Sequence, residues 1–169
     1  MSGGFWFKLD QTGRNIAPVA MTALLMLLGM VPLYLPSYGV MAPSLGLMAL
    51  YYWVLHRPDL LRPGTAFALG LLQDLLSGTP FGMNALVNTL VYWVILTQRR
   101  FLATSFSMLW WGFGMIATGA GLVGWAAYSV LNATLLPFET VMVGVLFTVA
   151  LFPAFAWLFI RVHRAFLQV

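Results

Sequence analysis

The sequence has no cysteine and very little charge, and each shortage excludes classes of protein. Without cysteine the chain has no disulfide, no zinc–thiolate site and no cysteine nucleophile. Among 169 residues there are four acidic side chains and eight Lys or Arg, so that charged residues make up 7% of the chain. Soluble domains contain about 25% charged residues. With so few charged residues, the chain cannot form the hydrated surface of an ordinary soluble domain.

Apolar residues are abundant: they form 62% of the sequence, and the mean hydropathy is +0.91. Because apolar runs recur along nearly the whole chain, we predict an all-α integral membrane protein with one transmembrane domain, residues 1–169. The first run is longer than the roughly 7–15 residues of a signal-peptide core, so we expect it to remain as a span. The six predicted spans are residues 16–35, 40–55, 65–77, 81–97, 105–131 and 138–160.

The placement of basic residues bears on the topology of residues 65–97, which could form one helix or two. If they form two, all eight Lys and Arg fall on one side of the membrane: Lys8, Arg14, Arg57, Arg62, Arg99, Arg100, Arg161 and Arg164. The positive-inside rule then predicts six spans with both termini in the cytoplasm. The net charge of +4 also suits contact with anionic membrane lipids. No basic stripe with interleaved aromatics occurs outside the spans, so we expect no nucleic-acid partner.

One carboxylate, Asp74, interrupts the apolar third span in the stretch GLLQDLLSGTPFG, Gly70–Gly82. An aspartate at the centre of a membrane helix costs roughly 2.5–3.5 kcal/mol, whereas each Leu or Phe returns only about 0.3–0.6 kcal/mol. The span should therefore be stable only if Asp74 faces protein or the membrane interface. Helical spacing places four small or polar residues on one stripe: Ala66, Gly70, Asp74 and Ser77.

The fourth span offers matching polar groups, since Asn84 and Asn88 are four residues apart and share a face. The short connection at residues 77–82 makes the two helices antiparallel neighbours. We therefore expect Asp74 to join them, through Asn84 or through the exposed N–H groups at the start of the fourth span. In this interpretation Asp74→Leu would lower stability, and Asp74→Asn would be mild.

The connection itself contains residues typical of a helix start and of tight turns. Thr79 and Pro80 are predicted to be the N-cap and first residue of the fourth helix. Glycines would allow close backbone approach or tight turns at three positions: Gly70, Gly78 and Gly82.

A second hypothesis is that Asp74 handles a proton or a cation, as acids within membranes often do. The other acid near a span, Glu139, is predicted at the outer start of the sixth, so no chain of ionisable groups follows Asp74. His56 and His163 have no second ligand at metal-binding spacing, and no GxSxG motif occurs. We therefore expect no catalytic residue, metal or cofactor.

The motif order also resembles that of a known family. The residues that carry the resemblance are Tyr51-Tyr52-Trp53, Pro58, Gly64, Phe67, Gly70, Asp74, Ser77-Gly78, Gly82 and Ala85-Leu86. This pattern resembles the bacterial rod shape-determining protein family MreD. The resemblance implies a non-enzymatic subunit of the bacterial inner (plasma) membrane, similar in architecture to the six-helix substrate-binding subunits (S-components) of energy-coupling-factor transporters.

The resemblance further implies membership of the cell-elongation (rod) complex, which supports lateral peptidoglycan synthesis and rod shape. Its implied partners are MreC, RodA, a class B penicillin-binding protein and MreB. An alternative from another class is a small-molecule-binding subunit of a membrane transporter. A co-purifying MreC-like protein would favour the first function, and a tightly held small ligand would favour the second.

Overall fold

The computed structural model describes residues 17–29, 44–133 and 137–167, with side chains described as far as residue 161. Within these ranges the regular structure is entirely helical, and six helices are present. They are α1 Ala17–Gly29, α2 Leu45–His56, α3 Pro63–Ser77, α4 Met83–Leu102, α5 Phe106–Asn132 and α6 Phe138–Leu167. The predicted all-α class is confirmed for this part of the chain. The end of the first predicted span and the start of the second lie outside it.

Two of the helices are long and apolar enough to cross a membrane: α5, and α6 over the range Phe138–Arg161. The helices α1 and α2 are apolar but shorter. The 12 residues of α2 rise about 18 Å at 1.5 Å each, whereas the hydrocarbon core of a bilayer is about 30 Å thick. By length and composition alone, two of the described helices qualify as spans, and the six predicted spans stay a prediction.

Residues 65–97 form two helices and not one, which settles the ambiguity left by the sequence. α3 ends at Ser77, α4 begins at Met83, and a five-residue turn, 78–82, separates them. α4 runs on past the predicted end at residue 97, to Leu102. Because the turn is short, the two helices run back along each other as an antiparallel pair, here called the α3–α4 hairpin.

The short helix α2 is the centre of the core. Its residues from Met48 to Leu55 are all buried, so that it is apolar on every side and packs against α4, α5 and α6. The ring of Tyr51 packs edge-on against Phe113 of α5 and Phe152 of α6, at centroid distances of 5.2 and 5.5 Å. The Tyr51 hydroxyl donates to the backbone oxygen of Leu109 at 2.9 Å. This core holds one face of α4 in place, and α3 packs on α4.

Glycines allow α5 to lie close to its neighbours. A Cβ on Gly121 would lie 2.7 Å from a methyl carbon of Val145 on α6. A Cβ on Gly112 would lie 3.1 Å from the Tyr51 hydroxyl. By contrast, a Cβ on Gly119 would have no atom within 4 Å. The small residues of α5 thus serve packing within the bundle at two positions and leave the surface open at the third.

Candidate functional site: the α3–α4 hairpin

The turn between α3 and α4 depends on two glycines in the left-handed region of backbone space. Gly78 ends α3 with φ 66°, and Gly82 is the N-cap of α4 with φ 92°. Side chains with a Cβ adopt this region only at a cost, and glycine does so freely. The predicted role of Gly78 and Gly82 in the turn therefore has a direct conformational basis.

The carboxylate of Asp74 is 2% exposed and lies against the start of α4. One oxygen, Oδ1, accepts hydrogen bonds from the Thr79 hydroxyl and the Asn84 backbone N–H, both at 2.9 Å. The other, Oδ2, accepts from the backbone N–H groups of Gly82 at 2.9 Å and Ala85 at 3.4 Å. All four partners donate, which matches an ionised carboxylate, since such a group only accepts.

Asp74 caps α4 from the neighbouring helix. The first N–H groups of a helix have no partner within it, and an N-cap side chain ordinarily accepts from the second or third of them. Gly82 occupies the N-cap position and has no side chain to do so. Asp74 reaches the N–H groups of the N-cap, second and third residues instead, and its negative charge is favourable beside the positive end of the helix dipole.

The predicted start of α4 needs correction. Thr79 is not the N-cap and Pro80 is not the first helical residue, because α4 begins at Met83. The positive φ of Gly82 delays the helix, and Asp74 takes over the capping of its N–H groups. Thr79 instead lies between two partners: its hydroxyl donates to Asp74 and accepts from the Asn84 side-chain nitrogen at 3.1 Å.

The hairpin is close-packed at Gly70, one turn before Asp74. A Cβ on this residue would lie 2.6 Å from the backbone nitrogen of Ala85 and 2.7 Å from the backbone oxygen of Asn84. Both are main-chain atoms of α4, so they cannot move aside as a flexible side chain could. The absence of a side chain at Gly70 therefore lets α4 approach closely enough for Asp74 to reach its N–H groups.

Two predicted residues lie elsewhere. Ser77 is exposed at the end of α3 and does not join the contact. Asn88 is 5% exposed, one turn further along α4 than Asn84, and does not touch Asp74. Its side-chain nitrogen is buried without a hydrogen-bond partner among the described residues. Conversely, Thr79 and Ala85 bind Asp74 although spacing alone did not single them out as its partners.

Acid–base or metal chemistry is not apparent around the hairpin. The described residues contain no group of three or more His, Cys, Asp or Glu that could hold a metal ion. In the loop between α2 and α3, Asp59 pairs with Arg57 at 3.2 Å, and this hydrogen bond lowers the pKa of Asp59. The pair is exposed, so its effect on stability is small. The hairpin contact consists of four hydrogen-bond donors around the Asp74 carboxylate.

Comparison with known proteins gives one family. No solved structure matches this chain. The family model described as rod shape-determining protein MreD matches residues 12–162 of the 169, which includes the whole α3–α4 hairpin. That family comprises membrane-associated, shape-determining proteins and is not a known enzyme family. The chain therefore belongs to the rod shape-determining MreD family and has a role in determining rod shape.

Proposed function

We propose that the chain is a six-span scaffold subunit of the bacterial inner membrane that supports lateral peptidoglycan synthesis in the cell-elongation complex. It acts through helix contacts with MreC, and RodA, a class B penicillin-binding protein and MreB belong to the larger assembly. The family match over residues 12–162 carries this proposal. Six helices among the described residues support six spans, and the architecture we propose is similar to that of the substrate-binding subunits of energy-coupling-factor transporters.

The described geometry supports a topology with both termini in the cytoplasm. In the α3–α4 hairpin, Arg62 precedes α3, and Arg99 and Arg100 lie in the last turns of α4, so the antiparallel packing brings all three to one end of the pair. Arg57 lies in the same loop as Arg62. The positive-inside rule assigns this end to the cytoplasm and the 78–82 turn to the opposite side.

Helix contacts with partners require apolar surface, and the chain offers it between α4 and α5. A groove of about 650 Å³ runs between these helices and is lined almost entirely by apolar residues. Trp111 and Met115 on its rim are 70% and 77% exposed. Inside a bilayer such a surface meets lipid chains or another helix. Membrane helices associate through close packing of their surfaces, and a groove can receive a partner helix in this way. The groove supports a helix-binding role.

Complementation tests the proposed function directly. In a rod-shaped bacterium depleted of its own MreD protein, expression of this chain together with its cognate MreC-like protein is expected to restore rod shape. The MreC-like protein should co-purify with the chain after gentle solubilisation. Gly64→Ala is a suitable control because a Cβ there meets no atom within 4 Å.

The scaffold function would be refuted if the cells stayed round although the chain accumulated in the membrane and the MreC-like protein was present. A tightly bound small molecule in place of the MreC-like protein would favour the transporter-subunit alternative.

A further inference from the structure

A second cavity lies between the helices, opens to the surface, and differs from the apolar groove in its lining. Its volume is about 210 Å³, and five helices or their caps contribute to its wall, from α2 to α6. The space exists because small residues of α5 and α6 face it: Ala117, Ala120, Gly121, Gly124 and Gly144. A Cβ on Gly124 would meet only the terminal methyl of Met83, at 3.8 Å. The small side chains at these positions therefore create the cavity.

Polar side chains form part of the lining of this cavity. Three primary amides line it, those of Gln73, Asn84 and Asn88, together with Ser44 and Thr148. The Thr148 hydroxyl is already engaged, because it donates to Gly144 at 2.7 Å and accepts from the Ser44 N–H at 3.1 Å. The Asn88 side-chain nitrogen, in contrast, is buried and has no partner among the described residues. A buried donor without an acceptor costs about 1–3 kcal/mol, and native proteins rarely retain one without a reason.

The residues that line the cavity favour an uncharged occupant. None of the residues around the cavity is Asp, Glu, Lys, Arg or His. An ion placed there would lose part of its hydration without gaining a counter-charge from the lining, which is unfavourable. Amides and hydroxyls both donate and accept hydrogen bonds, so they suit hydroxyl, amide and carbonyl groups.

The volume sets the size of the occupant. Water occupies roughly 30 Å³ per molecule in the liquid, so the cavity would hold about seven waters or one solute no larger than a monosaccharide. Ser44 at the rim is exposed, and it starts α2 at the end of the bundle that carries the 78–82 turn.

We propose that this cavity binds one small uncharged solute with hydroxyl or amide groups, and that Asn88 donates a hydrogen bond to it. Asn84 connects the site to the hairpin, since its side chain lines the cavity while its backbone N–H binds Asp74 at 2.9 Å. Occupation of the cavity therefore stabilises the start of α4. This binding is independent of the scaffold function, and either could fail without the other.

Thermal unfolding of the purified full-length chain in lipid nanodiscs tests the proposal with a matched pair of probes. Glucose is neutral and carries only hydroxyl groups outside the ring, whereas glucosamine has the same ring with a cationic amine in place of one hydroxyl. The neutral sugar is expected to raise Tm by about 3 °C once it exceeds its dissociation constant about tenfold. Glucosamine at the same concentration is expected to leave Tm unchanged.

Two variants on α4 show whether the cavity is responsible. Asn88→Leu is expected to abolish the Tm shift by the neutral sugar while keeping or raising the Tm without it, because the unpaired amide is gone. Thr89→Val should keep the full shift, since its hydroxyl bonds to the Ala85 oxygen of its own helix at 2.7 Å and does not line the cavity.

Three outcomes would overturn the proposal. In the first, glucose leaves the Tm of the native chain unchanged, and the cavity is only a packing defect. In the second, glucosamine produces an equal shift, and the effect is not selective for neutral solutes. In the third, the shift persists in Asn88→Leu, and the sugar binds elsewhere.

Discussion

Replacing Asp74 by leucine is expected to lower the free energy of unfolding by about 3–5 kcal/mol, since each buried donor left without a partner costs about 1–3 kcal/mol. The carboxylate accepts from three backbone N–H groups at the start of α4, those of Gly82, Asn84 and Ala85. Leucine would leave these donors without a partner, and Gly82 cannot supply a side-chain cap. Because Asp74 is only 2% exposed, water does not readily replace the lost acceptor. Steric-trap or denaturant unfolding in bicelles measures the change.

The structure also changes the expectation for Asp74→Asn. The sequence suggested a mild effect, but both oxygens of the carboxylate accept from N–H groups. An asparagine has one acceptor oxygen and one donor nitrogen. Its side-chain nitrogen would therefore face N–H donors of α4 and could not bind them. We now expect Asp74→Asn to cost about 1–3 kcal/mol, less than Asp74→Leu and more than a surface substitution.

The same pair of variants separates the structural role from proton or cation handling. If Asp74 acts as a cap, the ability of each variant to restore rod shape should fall in proportion to its stability. Asp74→Leu should then restore rod shape less well than Asp74→Asn. If Asp74→Asn retained full stability and expression but lost activity completely, the proton-handling hypothesis would replace the cap. Equal stability of the native chain and both variants would show that the cap contributes nothing.

Replacing Gly70 by alanine is the second change with a large expected effect. The added methyl carbon would lie 2.6 Å from the Ala85 nitrogen and 2.7 Å from the Asn84 oxygen, distances that real Cβ atoms essentially never show. The backbones of α3 and α4 must therefore move apart, which lengthens the hydrogen bonds of Asp74. We expect a loss of about 3 kcal/mol or more, because overpacking and a lost buried contact act together.

Gly64→Ala is the matched control for this prediction. Gly64 lies on the same helix and would present a Cβ with no atom within 4 Å. Alanine is favoured over glycine in helices by roughly 0.5–1 kcal/mol, so this variant is expected to be neutral or slightly stabilising. Equal effects of Gly64→Ala and Gly70→Ala on Tm would show that close approach at Gly70 is unimportant.

A double variant shows whether Gly70 and Asp74 serve one contact. If close approach is needed mainly to bring the carboxylate to α4, then Gly70→Ala should cost much less in an Asp74→Leu background. The two losses would then not add, as is usual for residues that share partners. Additive losses would mean that the residues stabilise the hairpin separately.

Helical spacing and the short connection sufficed to predict which parts of α3 and α4 meet. Gly70 and Asp74 are four residues apart, and a turn of a few residues makes the helices antiparallel, so Asp74 had to lie near the start of α4. Burial of a charge in an apolar chain made a polar partner necessary. These arguments need only local geometry and the cost of an unpaired charge.

The details that were wrong depend on the backbone of the turn. The positive φ of Gly82 moves the start of α4 from the predicted Pro80 to Met83, so that Thr79 does not cap the helix and instead donates a hydrogen bond to Asp74. Ser77 was expected on the contact stripe, but Asp74 already faces the first turn of α4. One turn further along α3 there is no helix opposite Ser77, so it is exposed.

The position of Asn88 could not be predicted from α3 and α4 alone. Its spacing from Asn84 placed it correctly on the same face, but its surroundings come from distant parts of the chain. The cavity beside it is lined by Gly121 of α5 and Gly144 of α6. Packing between helices far apart in sequence decides whether an amide meets a partner, lipid or open space.

Labelling of single cysteines in intact cells tests the central claim that α3 and α4 reverse direction within the membrane. The chain has no native cysteine, so Asp59→Cys, Ser77→Cys and Gln98→Cys can each be read alone with a charged thiol reagent that does not cross the membrane. The account predicts that Ser77→Cys reacts from outside, and that Asp59→Cys and Gln98→Cys react only after permeabilisation. Reaction of Asp59→Cys and Gln98→Cys from opposite sides would contradict the hairpin and the cap that depends on it.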